Sequence, residues 1–151
     1  MAQQLSDLLR PESVLAPLRA GSRDEAISAL VEVLPLLREG RGALKAAILA
    51  REAAGSTGLG NGVAVPHARS PRIAAPLMSA GLVAPPIDFR SADGQPVSLV
   101  LLLAVPAADP TAHLKTLAAL SRLASDKKLL RRLSKAASGL EFYDLIAGFP
   151  L

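Results

Sequence analysis

Residues 97–123 read VSLVLLLAVPAADPTAHLKTLAALSRL, and the change of hydrophobic period inside this stretch decides the fold. Val97 to Val105 is a short, almost uninterrupted apolar run between two prolines, the pattern of a strand buried on both faces. Asp109 before Pro110 is then a strong helix start: the aspartate can accept an end N–H, and proline brings a helical φ where its missing N–H does no harm. Behind it Leu114, Leu117, Leu120 and Leu123 line one helical face. A buried strand feeding an amphipathic helix points to an α/β protein. It also places His113, in the first turn of that helix, at the carboxyl end of the strand, where crevices form in open α/β sheets.

Working upstream, Leu77 to Val83 reads as a second buried strand. The intervening APPIDFRSADGQP is a loop with a candidate strand at Ile87 to Phe89 and a tight turn at Asp93-Gly94. Val63 to Val65 is a short extended segment that Pro66 brings to an end, which sets His67 at a strand edge or exit. Ser22 with Glu25 reads as a capping box for a helix over about Arg23 to Arg38, with Ile27, Leu30, Val31, Leu34 and Leu37 as its apolar stripe. Leu44, Ile48 and Leu49 mark a second helix over about Gly42 to Glu52, which Gly55 suits as terminator. Downstream, Ser125 or Asp126 starts a helix carrying Leu129, Leu130 and Leu133. Ser138 with Glu141 caps a closing helix whose core face is Phe142, Leu145 and Ile146. Strands and helices do not alternate strictly, so a small mixed sheet is expected rather than a doubly wound parallel one.

With 151 residues the chain has room for one ordinary domain, taken here as 1–151. Half the residues are hydrophobic and 20% are charged, which excludes disorder over most of the length. No apolar run approaches the roughly 18 residues of a membrane span, and Met1 to Arg10 lacks the pattern of a secretion signal, so a cytoplasmic protein with no membrane insertion is expected. The absence of cysteine removes thiolate metal sites, disulfides and cysteine nucleophiles together. A balance of 17 basic against 13 acidic groups suits an acidic or phosphorylated partner without demanding nucleic acid. An aromatic content of 3% is too low for base-stacking platforms.

The chemistry concentrates in residues 55–69. Four of the 11 glycines lie in GSTGLGNG at 55–62, which reads either as a flexible turn or as a loop whose amides can face an anion. The Walker and dinucleotide patterns are both excluded, the first because no lysine occurs in the run and the second because the glycines precede a strand. His67 and His113 are the only histidines, and imidazole is the side chain best poised to carry charge or a phosphoryl group near neutral pH. Taken singly, a histidine is more often structural or solvated. The alternative for Arg51 is a solvated helix-end arginine pairing with Glu52 or a terminal carbonyl, and Ser56 and Thr57 read equally well as local turn formers.

Together these residues have a different weight. REAAGSTGLGNGVAVPHAR, residues 51–69, resembles the phosphorylation-site signature of the type 2 enzyme IIA domains, the mannitol and fructose class of the bacterial phosphoenolpyruvate-dependent phosphotransferase system. It joins an Arg-Glu pair, a Ser-Thr-Gly step, a Gly-x-Gly step and a Pro-His dipeptide at fixed spacing. LLLAVPAADPTAHLKTLAALSRL, residues 101–123, is similar to the family's second block, and the likeness runs from about Leu15 to Ile146. It implies a mixed sheet flanked by helices on both faces. It also implies that His67 accepts a phosphoryl group from the histidine-containing phosphocarrier protein, assisted by His113 and Arg51, with Ser56 and Thr57 near the phosphoryl site. No metal and no cofactor is implied. Ala68-Arg69 stands where the family commonly has glycine and lysine, a difference that bears on the partner surface.

The absence of an attached sugar-binding or membrane domain makes the chain most similar to the stand-alone nitrogen-regulatory branch. The alternative is an enzyme IIA subunit of a sugar uptake system that passes phosphate to an enzyme IIB domain. Two remoter readings are a two-histidine metal hydrolase, for which no third ligand is spaced suitably, and a nucleic-acid module using Lys127, Lys128, Arg131, Arg132 and Lys135. That basic cluster has the spacing of a solvated helix face around a buried leucine stripe.

Overall fold

The computed structural model describes residues 4–151; residues 1–3 of the Met1–Arg10 stretch and of the 1–151 span lie outside the described residues. Two short 3-10 turns, Leu5–Leu8 and Pro11–Ser13, lead into β1 (Val14–Leu18), α1 (Arg23–Glu32), α2 (Arg38–Ala54), β2 (Gly58–Gly60), β3 (Val63–Ala64) and β4 (His67–Ser70). Then follow β5 (Leu77–Ile87), β6 (Val97–Pro106), α3 (Pro110–Ser125), α4 (Lys127–Leu133) and α5 (Gly139–Ile146). The strands form one mixed sheet in the order β1-β5-β6-β3-β2, with β4 also paired to β6. β1 runs parallel to β5, β5 antiparallel to β6, and β3 and β4 parallel to β6.

β6 is the spine because almost every residue in it is buried. Its alternate residues part to the two faces of the sheet, as the two-residue period of a strand requires. Leu99, Leu101, Leu103 and Val105 join one core with Leu120, Leu123, Leu133, Phe142 and Ile146 from α3, α4 and α5. Val100, Leu102 and Ala104 join a second core with Ile27, Leu30, Leu44 and Ile48 from α1 and α2. Helices therefore cover both faces, as the sequence implied.

The local stops and starts follow side-chain chemistry. Asp109 accepts the N–H of Ala112 at 3.0 Å and Asp126 that of Leu129 at 3.0 Å, so the two aspartates cap α3 and α4. Ser22 and Ser138 cap α1 and α5 as expected, accepting from Glu25 N and Glu141 N. The reciprocal halves of both boxes reach one residue further upstream, with Glu25 accepting from Gly21 N and Glu141 from Ala137 N.

Three expectations are corrected. The first helix ends at Glu32 rather than near Arg38, because Pro35 lacks an N–H and disfavours helical backbone at Leu34; Leu37 then lies 81% exposed at the start of α2, outside the stripe assigned to it. β1 was not anticipated, since Pro17 within Val14–Leu18 reads against a strand unless the strand lies at an edge, which it does. Ile87 belongs to the end of β5, with a register shift between Leu82 and Ile87, and Phe89 is a fully buried loop residue rather than part of a further strand.

The glycine run is an ordered hairpin rather than a flexible turn. β2 and β3 pair antiparallel with Gly60 opposite Val63, leaving Asn61-Gly62 as a two-residue connection with φ of 55° and 77°. Both values lie in the left-handed region that an Asn-Gly hairpin turn requires. The Asn61 side chain donates to the Ala124 carbonyl at 2.9 Å, pinning the hairpin tip to the end of α3.

Candidate functional site

His67 is aimed by strand register. Ala64 pairs with Val100 and His67 with Leu103, the same offset on both sides of Pro66, so residues 63–70 track one edge of β6 without slipping. Pro66 gives up only a donor, and its carbonyl still accepts the N–H of Leu103 at 3.0 Å. With the phase set by Val63 and Val65 in the core beneath α3, His67 and Arg69 face the same side. There α3 delivers His113 from its first turn: the two imidazole centroids lie 5.4 Å apart, edge to face at 87°.

The tautomer of His67 follows from its partner. Nδ1 lies 2.8 Å from the carbonyl oxygen of Val65, which can only accept, so Nδ1 carries a hydrogen and in the neutral ring the lone pair falls on Nε2. His67 is half-buried and opens into a cleft lined also by Arg51, Ser56, Thr57 and, from α3, Leu117 and Ser121. The last two follow His113 at intervals of four along the helix, a periodicity that could have marked them in advance.

Arg51, in the last turn of α2, donates to the carbonyl of Gly55 at 2.9 Å. One of its donors caps the helix, as a helix-end arginine would, while the guanidinium as a whole borders the cleft. Ser56 Oγ accepts the N–H of Gly58 at 3.0 Å, a local turn bond. Thr57 is buried, and both its N–H, at 2.8 Å, and its hydroxyl donate to the carboxylate of Glu52, itself 1% exposed. The structure thus gathers Arg51, Ser56, Thr57 and His67 in one cleft with His113 beside it. Sequence reasoning did not single out Glu52 or Arg69 as neighbours of the site.

Burial holds the pKa of His113 below the ordinary histidine value of 6.5, and the nearby His67 and Arg69 push it the same way. At neutral pH it is therefore an uncharged imidazole with one N–H to offer. Among the described residues no group of three or more His, Asp or Glu stands close enough to hold a metal ion. None of the described helices is long and apolar enough to cross a membrane.

The family model for the phosphoenolpyruvate-dependent sugar phosphotransferase system EIIA 2 matches residues 7–148. The chain belongs to this family. The chain is 34% identical over 144 residues to a nitrogen regulatory protein of Bradyrhizobium diazoefficiens, covering 95% of this chain and 94% of the relative. It is 31% identical over 145 residues to the fructose-specific EIIABC component of Bacillus subtilis, covering 95% of this chain but 23% of that longer protein. The crystal structure of the nitrogen regulatory protein IIA-Ntr from Neisseria meningitidis superposes with a TM-score of 0.87 at 28% identity, over 95% of this chain and 99% of the other. As an EIIA type 2 protein, the chain is a phosphotransfer component of such a system.

Proposed function

We propose that this EIIA type 2 chain accepts a phosphoryl group on Nε2 of His67 from the histidine-containing phosphocarrier protein and uses it as a regulatory signal in a nitrogen-type phosphotransferase system. The observation that carries this reading is the His67 tautomer: Nδ1–H is committed to the Val65 carbonyl, so the free lone pair on Nε2 is the attacking one. Transfer between two imidazoles asks the protein mainly for positioning and for stabilisation of charge on the equatorial oxygens. Nδ1–H bonding to Val65 fixes the ring while Nε2 attacks phosphorus and the bond to the donor imidazole breaks.

Arg51 retains guanidinium donors beyond the one that meets Gly55, and they neutralise phosphoryl oxygens in the cleft. Neutral His113 donates its ring N–H to the same oxygens. Ser56 accepts from Gly58 and keeps its own hydroxyl hydrogen for a phosphoryl oxygen. Thr57 spends its hydroxyl hydrogen on Glu52, so its part in phosphoryl binding is to hold the turn in place. Phosphorylation then places a phosphoryl group of about −2 charge on a ring that keeps its Nδ1–H, enough to change which partner surface the cleft accepts.

Incubation with phosphoenolpyruvate, the first enzyme of the system and the carrier tests this: wild type takes up label and His67→Ala does not. Labelling of His67→Ala to the wild-type level overturns it. The match to the fructose-specific EIIABC component favours a second reading, in which the phosphate passes to an enzyme IIB domain. Onward transfer to a IIB domain at a rate comparable with loading would establish that reading over a purely regulatory one.

A further inference from the structure

Glu52 is an expensive residue where it stands. Its side chain is buried and lies in the last turn of α2, where the helix dipole disfavours negative charge. Among the described residues the ion pairs are Arg23 with Asp24 and Arg41 with Glu32, so Glu52 is in no direct ion pair. Its hydrogen-bond donors are the N–H and hydroxyl of one residue, Thr57. An apolar side chain at the end of this helix would cost less, unless the carboxylate is needed for what Thr57 does next.

The bonds beyond Thr57 supply that need. The Thr57 carbonyl accepts the N–H of Val65 at 3.1 Å, and the Val65 carbonyl accepts Nδ1–H of His67 at 2.8 Å. A series of contacts therefore runs from the Glu52 carboxylate by way of residues Thr57 and Val65 to the imidazole, each residue donating from one peptide group and accepting with the next, so that what it passes on is position. Its first three members, Glu52, Thr57 and Val65, are buried, where water does not compete for these bonds. Each link also fixes a position: Thr57 sets the distance between the end of α2 and β3, and Val65 sets the ring that follows two residues later.

We propose that Glu52 is a positioning residue for phosphoryl transfer, acting through Thr57 and Val65 to hold His67 in its Nδ1–H tautomer with Nε2 aimed into the cleft. The proposal rests on His67 being the acceptor, but half of its test does not depend on transfer. In that half, imidazole 1H–15N correlation spectra of the unphosphorylated protein report the His67 tautomer. In the other, single-turnover loading from phosphorylated carrier, at varied carrier concentration, separates the maximal rate from the half-saturating concentration.

Wild type should show Nδ1–H. Glu52→Gln, which keeps one acceptor and loses the charge, should mix in the Nε2–H form and lower the maximal rate about tenfold, the smaller end of what losing an orienting partner costs, with half-saturation unchanged. Glu52→Met should go further in both readouts, and Thr57→Ser, which keeps both donors, should stay within about twofold of wild type. If Glu52→Met does not fold, Glu52→Gln decides. A Glu52→Gln protein with the wild-type tautomer and maximal rate overturns the proposal. A wild type that shows the expected tautomer but takes no phosphate leaves the relay standing and overturns the proposed function instead.

Discussion

Replacing His113 by alanine removes the second imidazole while leaving the acceptor ring and its Val65 bond in place. The two ring centroids lie 5.4 Å apart, edge to face, and in the proposed reaction His113 is the neighbouring N–H donor to a phosphoryl group on His67. Loss of one neutral preorganised donor costs about 3 kcal/mol. That predicts a fall in the single-turnover rate of about a hundredfold for His113→Ala, with His113→Gln recovering part of it because an amide N–H can replace the ring donor. Rapid-quench loading from phosphorylated carrier at pH 7.5 measures this. A His113→Ala rate within about threefold of wild type would refute the donor role, and an equal loss in His113→Gln and His113→Ala would refute the hydrogen bond as its basis.

Three further outcomes follow from the same coordinates. A Cβ on Gly58 would come within 2.8 Å of the Ser91 Cβ and closer still to its Oγ, so Gly58→Ala should slow loading by displacing the turn that holds Ser56 and Thr57; adding Ser91→Gly should restore the rate. Since the folded state holds the pKa of His113 below 6.5, the unfolded chain binds the extra proton first; stability should be full above about pH 6.5 and fall as acid protonates the unfolded chain, and denaturation curves from pH 7.5 to 5.5 should show a smaller fall for His113→Gln than for wild type. Leu102→Ala, at a fully buried position in β6, should cost about 3 kcal/mol by urea denaturation, and a cost below about 1 kcal/mol would contradict its place in the core.

The parts of the fold legible in the sequence were those with strong local codes. The apolar run from Val97, the Asp109-Pro110 start and the leucine stripe of α3 gave the central strand and the helix that carries His113 at its amino end. Where a proline worked against the hydrophobic period, sequence and structure parted: Pro35 cut α1 short, and Pro17 concealed an edge strand whose pairing with β5 depends on residues some sixty positions away. Asn61-Gly62 is a recognisable hairpin turn, but the density of glycine around it drew attention to anion binding.

At the site, the two histidines were singled out by residue type and Arg51 by the family resemblance, and the meeting of His67 with His113 depends on the parallel register of β4 with β6. Glu52 was noted only as half of the Arg-Glu pair and as a possible partner of Arg51, and nothing in its local sequence marks it as buried. Only the tertiary fold shows that it is buried against Thr57. The His67 tautomer was equally illegible, being set by a backbone carbonyl that carries no side-chain signal.

The central claim is that the Nε2 nitrogen of one imidazole receives the phosphate. Phosphorylating isotopically labelled protein with phosphoenolpyruvate, the first enzyme and the carrier, then assigning the modified ring by 15N–31P coupling, tests it most directly. The account predicts a single phosphohistidine, at His67, bonded through Nε2; phosphate on Nδ1 of that ring, on His113, or on neither histidine would contradict it.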